Sequence, residues 1–228
     1  MSSSEPPGPV PAQVRVLLVD DHAFVRQGMA AIINEEPDLV VCGEADGVRS
    51  AIAAVAERRP DLALVDLSIR EGDGLELVRD LRNRFPEVRT LVLSMYDETV
   101  YAERAIRAGA SAYVMKAEAA KTVMAAIRSV LRGEVYLSPR MVARLADRRR
   151  HGGGGVAASP TGPDRLSDRE LQVLRCVGQG LSTREIAEEL FISVKTVEAH
   201  REHIKAKLGL VSSGELLRYA IEHGRVDG

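Results

Sequence analysis

The sequence predicts an α/β, doubly wound five-stranded parallel sheet followed by a small all-α domain of four helices. Three observations carry this. Five short apolar runs, each followed by a helical stretch, fill the first 133 residues. A Gly- and Pro-rich break follows, and three helix-start signatures then fall within about 50 residues (Ser167 to Glu170, Ser182 to Glu185, Ser212 to Glu215). Parallel neighbours need crossover connections, so strict strand–helix alternation points to a parallel sheet covered on both faces.

In chain order, Val14 to Val19 is the first strand and ends on Asp20 and Asp21. Phe24 to Asn34 is helical, with Val25, Met29, Ile32 and Ile33 on one face. Leu39 to Cys42 is the second strand, and Val48 to Arg59 the helix after it, closed by Pro60. Leu62 to Asp66 is the third strand, leading into a Gly-rich turn at Gly72 to Gly74. The helix from Leu75 to Phe85 stops before Pro86. Val88 to Ser94 is the fourth strand, and Val100 to Arg107 its helix, with Gly109 beyond. Ala112 to Met115 runs into Lys116, and Lys121 to Leu131 is the fifth helix.

Parallel strands present their carboxyl ends on one edge, where open α/β sheets place their ligands. Asp20, Asp21, Asp66, Ser94 and Lys116 all fall at such ends. Carboxylates packed together repel unless a cation neutralises them, and an oxygen-only cluster with room for water suits Mg²⁺. Ser94 offers a hydroxyl, and Lys116 a point charge suited to a phosphoryl group. The set is built to make Asp66 a nucleophile for phosphoryl transfer.

Ser138 caps a linker helix with Pro139 at its first position, and Arg148 to Arg150 read as its solvated end, with contact to DNA phosphate as the alternative. His151 to Gly155 and Ser159 to Pro163 then form a flexible linker. In the second domain Ser167, Ser182 and Ser212 each precede an acid by three residues, and Ser193 caps a fourth helix, Val194 to Leu208. Gly180 and Gly209 mark stops. On that fourth helix Val194, Val197, Ile204 and Leu208 are the expected inner stripe, with Lys195, Glu198, Ala199 and Glu202 opposite. A helix, a turn and a long helix is helix-turn-helix organisation, whose second helix enters the major groove. Residues 165–228 carry 10 acids and 10 bases, so attraction to DNA at large should be weak.

Residues 14–133 resemble the receiver domain of two-component response regulators, a flavodoxin-like fold. The matching pieces are Leu17 to His22, Leu64 to Leu67 with Asp73 and Gly74, Leu93 with Ser94, and Ala112 to Lys116. The resemblance implies that Asp66 is the phospho-acceptor, that Asp21, Asp66 and the Ser68 carbonyl ligate Mg²⁺ directly, and that Asp20 does so through water. It makes Ser94 the sensor of the phosphoryl group, Lys116 its partner and Tyr113 the switch aromatic. Receivers usually carry proline four residues after the acceptor, where this chain has Arg70. Residues 165–228 resemble the LuxR-type helix-turn-helix domain through Leu166 to Glu170, Glu185 to Ser193, Lys195 to Arg201 and Lys207 to Gly209. That implies DNA contacts from Arg184, Ser193, Lys195, Thr196, Glu198, Ala199, His200, Glu202, Lys205 and Lys207. The whole chain is similar to the NarL/FixJ subfamily, with residues 1–13 a disordered N-terminus and 134–164 the linker. The resemblance implies a DNA-binding transcription factor that a sensor histidine kinase phosphorylates and that dimerises when phosphorylated. It implies no enzyme beyond self-phosphorylation from a phosphodonor and its reversal.

Composition fits this reading. The net charge is −2, with the acidic excess in residues 1–133 (20 acids, 16 bases). Cys42 and Cys176 are far apart in apolar segments and read as core thiols of a reducing compartment. No apolar run reaches the roughly 18 residues of a membrane helix, and the N-terminus has no signal-peptide pattern, so a cytoplasmic protein without membrane contact is expected. A haloacid-dehalogenase phosphatase would need a second acid two residues after the nucleophile, where Ser68 stands. A small-molecule sensor would need an enclosed apolar pocket, and the chain has no Trp and few aromatics.

Overall fold

The structure, a computed structural model, describes residues 13–69, 72–151 and 162–223. The N-terminal stretch, Arg70, the run Gly152 to Gly155 and Ser159 to Thr161 lie outside the described residues, as do the side chains of Arg148 to Arg150. Strands β1 (Val14–Val19), β2 (Leu39–Ala45), β3 (Leu62–Val65), β4 (Arg89–Ser94) and β5 (Ala112–Met115) alternate with α1 (Ala23–Asn34), α2 (Val48–Arg58), α3 (Gly74–Arg84), α4 (Glu98–Ala108) and α5 (Ala120–Leu131). All pairings are parallel, in the order β2-β1-β3-β4-β5. The remaining helices are α6 (Pro139–His151), α7 (Asp168–Gly178), α8 (Thr183–Glu189), α9 (Val194–Leu208) and α10 (Ser213–His223).

Side chains alternate across the strands, so β1 feeds two cores. Val16 and Leu18 pack with Ile33 of α1 and Ile127 of α5, whereas Leu17 and Val19 pack with Val55, Leu77 and Ala102 of α2, α3 and α4. The second cluster continues without a break through Tyr96 and Tyr101 into Leu166, Leu171 and the other buried residues of α7–α10. Linker helix α6 starts as expected, with the Ser138 hydroxyl accepting from Met141 N–H at 3.1 Å, and buries Met141. It lies against α4.

Boundaries differ from the sequence expectation where local side chains decide them. Helix α4 begins two residues early because the Asp97 carboxylate takes the Thr99 N–H at 2.6 Å. Strand β2 runs on through Gly43 and Glu44, pairing them with Leu17 and Leu18. Helix α2 ends at Arg58, since Arg59 turns left-handed at φ 46°. Ser167 and Ser182 form the expected reciprocal caps with Glu170 and Glu185. At α10 Ser212 caps as expected, its hydroxyl accepting from Glu215 N–H at 3.1 Å, while the Glu215 carboxylate returns to the Val211 N–H at 2.7 Å and not to that of Ser212. Val194 is not part of the inner stripe of α9: it is exposed, and Val197 and Ile204 alone are fully buried there. Cys176 is buried and Cys42 half-buried, both as free thiols.

Candidate functional site

The strand ladder itself assembles the site, because it extends one residue past the strands. Asp66 N–H donates to Val19 O at 2.8 Å, Asp20 N–H to Ala45 O at 3.0 Å, and Lys116 N–H to Ser94 O at 2.8 Å. These bonds hold Asp20, Asp66 and Lys116 at neighbouring strand ends. Behind them Gly74 starts α3 so close to the chain that an added Cβ would sit 2.5 Å from Leu67 Cα and 2.6 Å from Asp66 O. Only glycine lets the helix begin there. Asp73 caps it by accepting from Leu75 N–H at 2.8 Å, and burial pushes its carboxyl up to about 6.

The Lys116 ammonium lies 2.5 Å from Asp20 Oδ2 and 2.8 Å from Asp66 Oδ2. One oxygen of Asp66 is thus taken, while Asp66 Oδ1 and Asp21 Oδ1 are buried with no hydrogen-bond partner. Burial pushes the Asp66 carboxyl up to about 6 against the pull of Lys116. Burial also pulls the Lys116 ammonium down, but the Asp66 and Asp20 carboxylates outweigh it and leave it raised. Asp20, Asp21, His22 and Asp66 each offer a ligand atom, all within 4.8 Å of one another. Orphaned carboxylate oxygens in a pocket already short of positive charge fit a hard divalent cation. His22 was missed as a member of this cluster. Its Nδ1 is 2.7 Å from Asp21 Oδ1, out of line for a hydrogen bond, and 3.1 Å from Asp20 Oδ1. Its position directly after two acids was the available signal.

Ser94 is fully buried, and its hydroxyl accepts from Tyr96 N–H at 3.3 Å. Tyr113 is buried and donates its hydroxyl to Tyr96 O at 2.7 Å. Ser68 sits at the mouth, with its hydroxyl bonded to the Tyr96 hydroxyl. Tyr96, which links these groups, was not singled out from sequence. Neither was Arg175 of α7, whose Nη1 donates to Ser68 Oγ at 3.1 Å.

In the C-terminal helices, Lys195, Glu198, Ala199 and Glu202 project from α9 as exposed residues. Ser193 and Thr196 are engaged in capping: Ser193 Oγ accepts from Thr196 N–H at 3.0 Å and meets Thr196 Oγ1 at 2.7 Å. Lys205 pairs with Glu202 at 2.9 Å, and exposed Arg184 with Glu188 at 3.3 Å. Lys207 reaches back to the buried Glu170 carboxylate at 2.6 Å, so part of its role is internal. His200 is half-buried, and burial lowers its pKa. Gly209 closes α9 in a left-handed turn at φ 69°.

Comparison with known proteins places both halves. Residues 16–128 match the response regulator receiver domain family, and residues 164–220 match the bacterial regulatory proteins of the luxR family. The oxygen regulatory protein NreC of Staphylococcus carnosus is 39% identical over 217 residues, spanning 94% of this chain and all of that protein. NreC of Staphylococcus aureus is 40% identical over 212 residues, covering 92% and 97%. Among solved structures, RcsB from Salmonella enterica serovar Typhimurium, bound to a promoter in the presence of the phosphomimetic BeF3-, superposes with TM-score 0.66 at 26% identity, covering 92% of this chain and 99% of that one. Among the described residues no helix is long and apolar enough to cross a membrane.

Proposed function

The chain belongs to the NarL/FixJ-type response regulators of two-component systems, with a LuxR-type DNA-binding domain, and on that premise we propose that Asp66 is its phospho-acceptor and that its phosphorylation controls dimerisation on promoter DNA. The observation that carries this is the split state of Asp66: one oxygen is held by Lys116 at 2.8 Å, and the other is buried beside Asp21 without a partner. Asp21 and Asp66 would hold a cation of the Mg²⁺ class, with Asp20 behind them and the Ser68 carbonyl as a further oxygen. The cation supplies positive charge to the phosphoryl oxygens as negative charge builds up on them.

An Asp66 oxygen attacks the phosphorus of a phosphohistidine on a sensor kinase. The P–N bond breaks, the imidazole nitrogen leaves with the electron pair, and an acyl phosphate forms. Lys116 pairs with the new charge, and the Ser94 hydroxyl turns to donate to it. Tyr113 follows Ser94, since both bond to the Tyr96 backbone. Helix α4 carries the change outward. It is covered here by α6 and tied to α7, so pairing of two subunits through α4 requires those helices to leave. The chain catalyses nothing beyond its own phosphorylation and hydrolysis, and its free thiols suit the cytoplasm.

The test is incubation with acetyl phosphate and Mg²⁺, followed by intact mass. One phosphoryl group should add to the parent and none to Asp66→Asn. A gain that persists in Asp66→Asn refutes the assignment. Sedimentation of the phosphorylated chain should show a dimer, and an unchanged monomer fraction refutes the coupling.

A further inference from the structure

The mouth of the Asp66 site opens into a cleft of about 730 Å³ shared by the two domains. Asp21, Ser68 and Tyr96 lie on the receiver side, and Gln172, Arg175 and Glu189 on the other. Arg175 reaches across it. Its guanidinium carbon stands 4.1 Å from the centre of the Tyr96 ring, while Nη1 donates to Ser68 Oγ at 3.1 Å. The Ser68 and Tyr96 hydroxyls bond to each other beneath it.

Both partners sit two residues from a reacting group: Ser68 from Asp66, Tyr96 from Ser94. Tyr96 is also the residue whose backbone bonds Ser94 and Tyr113. A single cation from the DNA-binding domain therefore holds the two side chains at the entrance to the acceptor. A planar guanidinium can stack and donate at once, which an ammonium cannot do in this geometry. Its Nε is buried without a partner, so the contact is less than fully satisfied and opposes part of its own gain.

We infer that Arg175 is a positioning residue of the phosphoryl-transfer site: by pinning Ser68 and Tyr96 across the mouth, it makes access to Asp66 depend on docking of the DNA-binding domain. The inference rests on Asp66 being the acceptor. While Arg175 is seated, a phosphodonor and a hydrolytic water meet the same barrier. When it leaves, both gain entry. Docking is anchored separately at Asp168 of α7, which pairs with Arg79 of α3 and, at 2.8 Å, with Arg104 of α4. Arg104 also donates to Pro163 O at 2.9 Å. These anchors touch neither Ser68 nor Tyr96, so they can be cut without disturbing the mouth directly.

The experiment uses the full chain with phosphoramidate and Mg²⁺, following phosphorylation by intact mass and then, after donor removal, loss of the phosphoryl group. Arg175→Ala should speed both steps by about threefold to tenfold, the range by which a partly exposed cation–π contact shifts an equilibrium, the gain of the Ser68 hydrogen bond being offset by the unpaired Nε. Because both rates rise together, the plateau should stay near the parent's. A merely structural role would lower the plateau and the melting temperature without raising either rate. Arg79→Ala should move both rates in the same direction by a smaller factor. In a Tyr96→Leu background Arg175→Ala should have a smaller effect, because the stack is already gone and only the Ser68 hydrogen bond is left to lose. Rates within about twofold of the parent in Arg175→Ala, or an equal effect in the Tyr96→Leu background, overturn the inference. A phosphorylated parent with a silent Arg175→Ala refutes this inference alone, whereas a parent that takes up no phosphoryl group refutes the acceptor assignment as well.

Discussion

Replacing Asp66 by Asn removes a charge that the fold holds at a cost, and the size of that cost follows from the site. The side chain is 2% exposed, and burial pushes its carboxyl from 3.8 up to about 6 even with Lys116 2.8 Å away. At about 1.36 kcal/mol for each tenfold step in proton affinity, keeping Asp66 ionised at pH 7.5 costs the native state about 3 kcal/mol. Asn recovers part of this and loses the charged hydrogen bond from Lys116, which retains Asp20. The net gain expected is about 1–2 kcal/mol, or a rise of about 4–8 °C in the receiver transition by calorimetry in metal-free buffer.

The pH dependence has a definite sign. A folded-state value above the unfolded one means that the native state keeps its proton longer. The penalty is therefore absent below about pH 4, grows between about pH 4 and 6, and is full above that. Asp66→Asn should gain most over the parent at pH 7.5 and progressively less towards pH 5. Mg²⁺ should narrow the gap from the other side, by about 2.7 kcal/mol at a hundred times its dissociation constant, because it binds the parent's carboxylates and not the amide. A variant that melts at or below the parent at pH 7.5, or a gap equal at pH 5 and pH 7.5, refutes this reasoning.

Asp21→Asn should abolish the rise in melting temperature that Mg²⁺ gives the parent, since the orphaned Oδ1 is an expected ligand; a rise of the parent's size would exclude Asp21 as one. Lys207→Ala should destabilise the C-terminal helices by about 1–3 kcal/mol, read by denaturant unfolding, because it removes the cation paired with the buried Glu170 carboxylate and leaves it the Ser167 N–H; unchanged unfolding would show that pair to be idle. Lys195→Ala should weaken binding to all DNA sequences alike and lower the salt slope by about 0.9 for one lost phosphate contact, and an unchanged slope would remove it from the phosphate contacts. Glu198→Ala should relax preference at one base pair by about 1–3 kcal/mol in a randomised-site selection, and a motif matching the parent's at every position would make this face solvated surface.

The sheet and the Asp66 site were legible because both follow from local chemistry. Apolar runs of four to six residues announce parallel strands, and polar residues at their carboxyl ends must share one edge whatever the strand order. The helix starts were legible because Ser167, Ser182 and Ser193 cap within three residues of themselves. Pairings between distant residues left no such mark. Arg175 and Ser68 are 107 positions apart, and Lys207 and Glu170 are 37 apart. Nothing in the pattern of α7 says that Arg175 faces another domain and not solvent. Val194 failed as a core residue for a similar reason: helical periodicity places it on the inner face, but at the first turn of α9 the exposed entry of the chain decides.

The docked arrangement also constrains where control can act. Lys195, Glu198, Ala199 and Glu202 are exposed on α9 while α7 is seated against the receiver, so docking leaves open the face expected to meet DNA. It covers α4 instead, through α6 and the Arg104–Asp168 pair. A domain with 10 acids and 10 bases gains little from DNA at large, and one reading helix contacts few base pairs. On the proposed mechanism the lever with the most effect would be a second subunit, which raises the effective concentration of the other half-site contact without any new contact in the first. Arg79 is 45% exposed, and an exposed ion pair contributes about 0–1 kcal/mol, while the unpaired Arg175 Nε works against docking. Moving such an equilibrium from 1:99 to 99:1 takes about 5.5 kcal/mol of differential interaction. On the mechanism proposed above, a phosphoryl group that repositions Ser94, Tyr96 and Tyr113 beneath Arg175 and a subunit contact on α4 would divide that sum between two sites that are exclusive with docking.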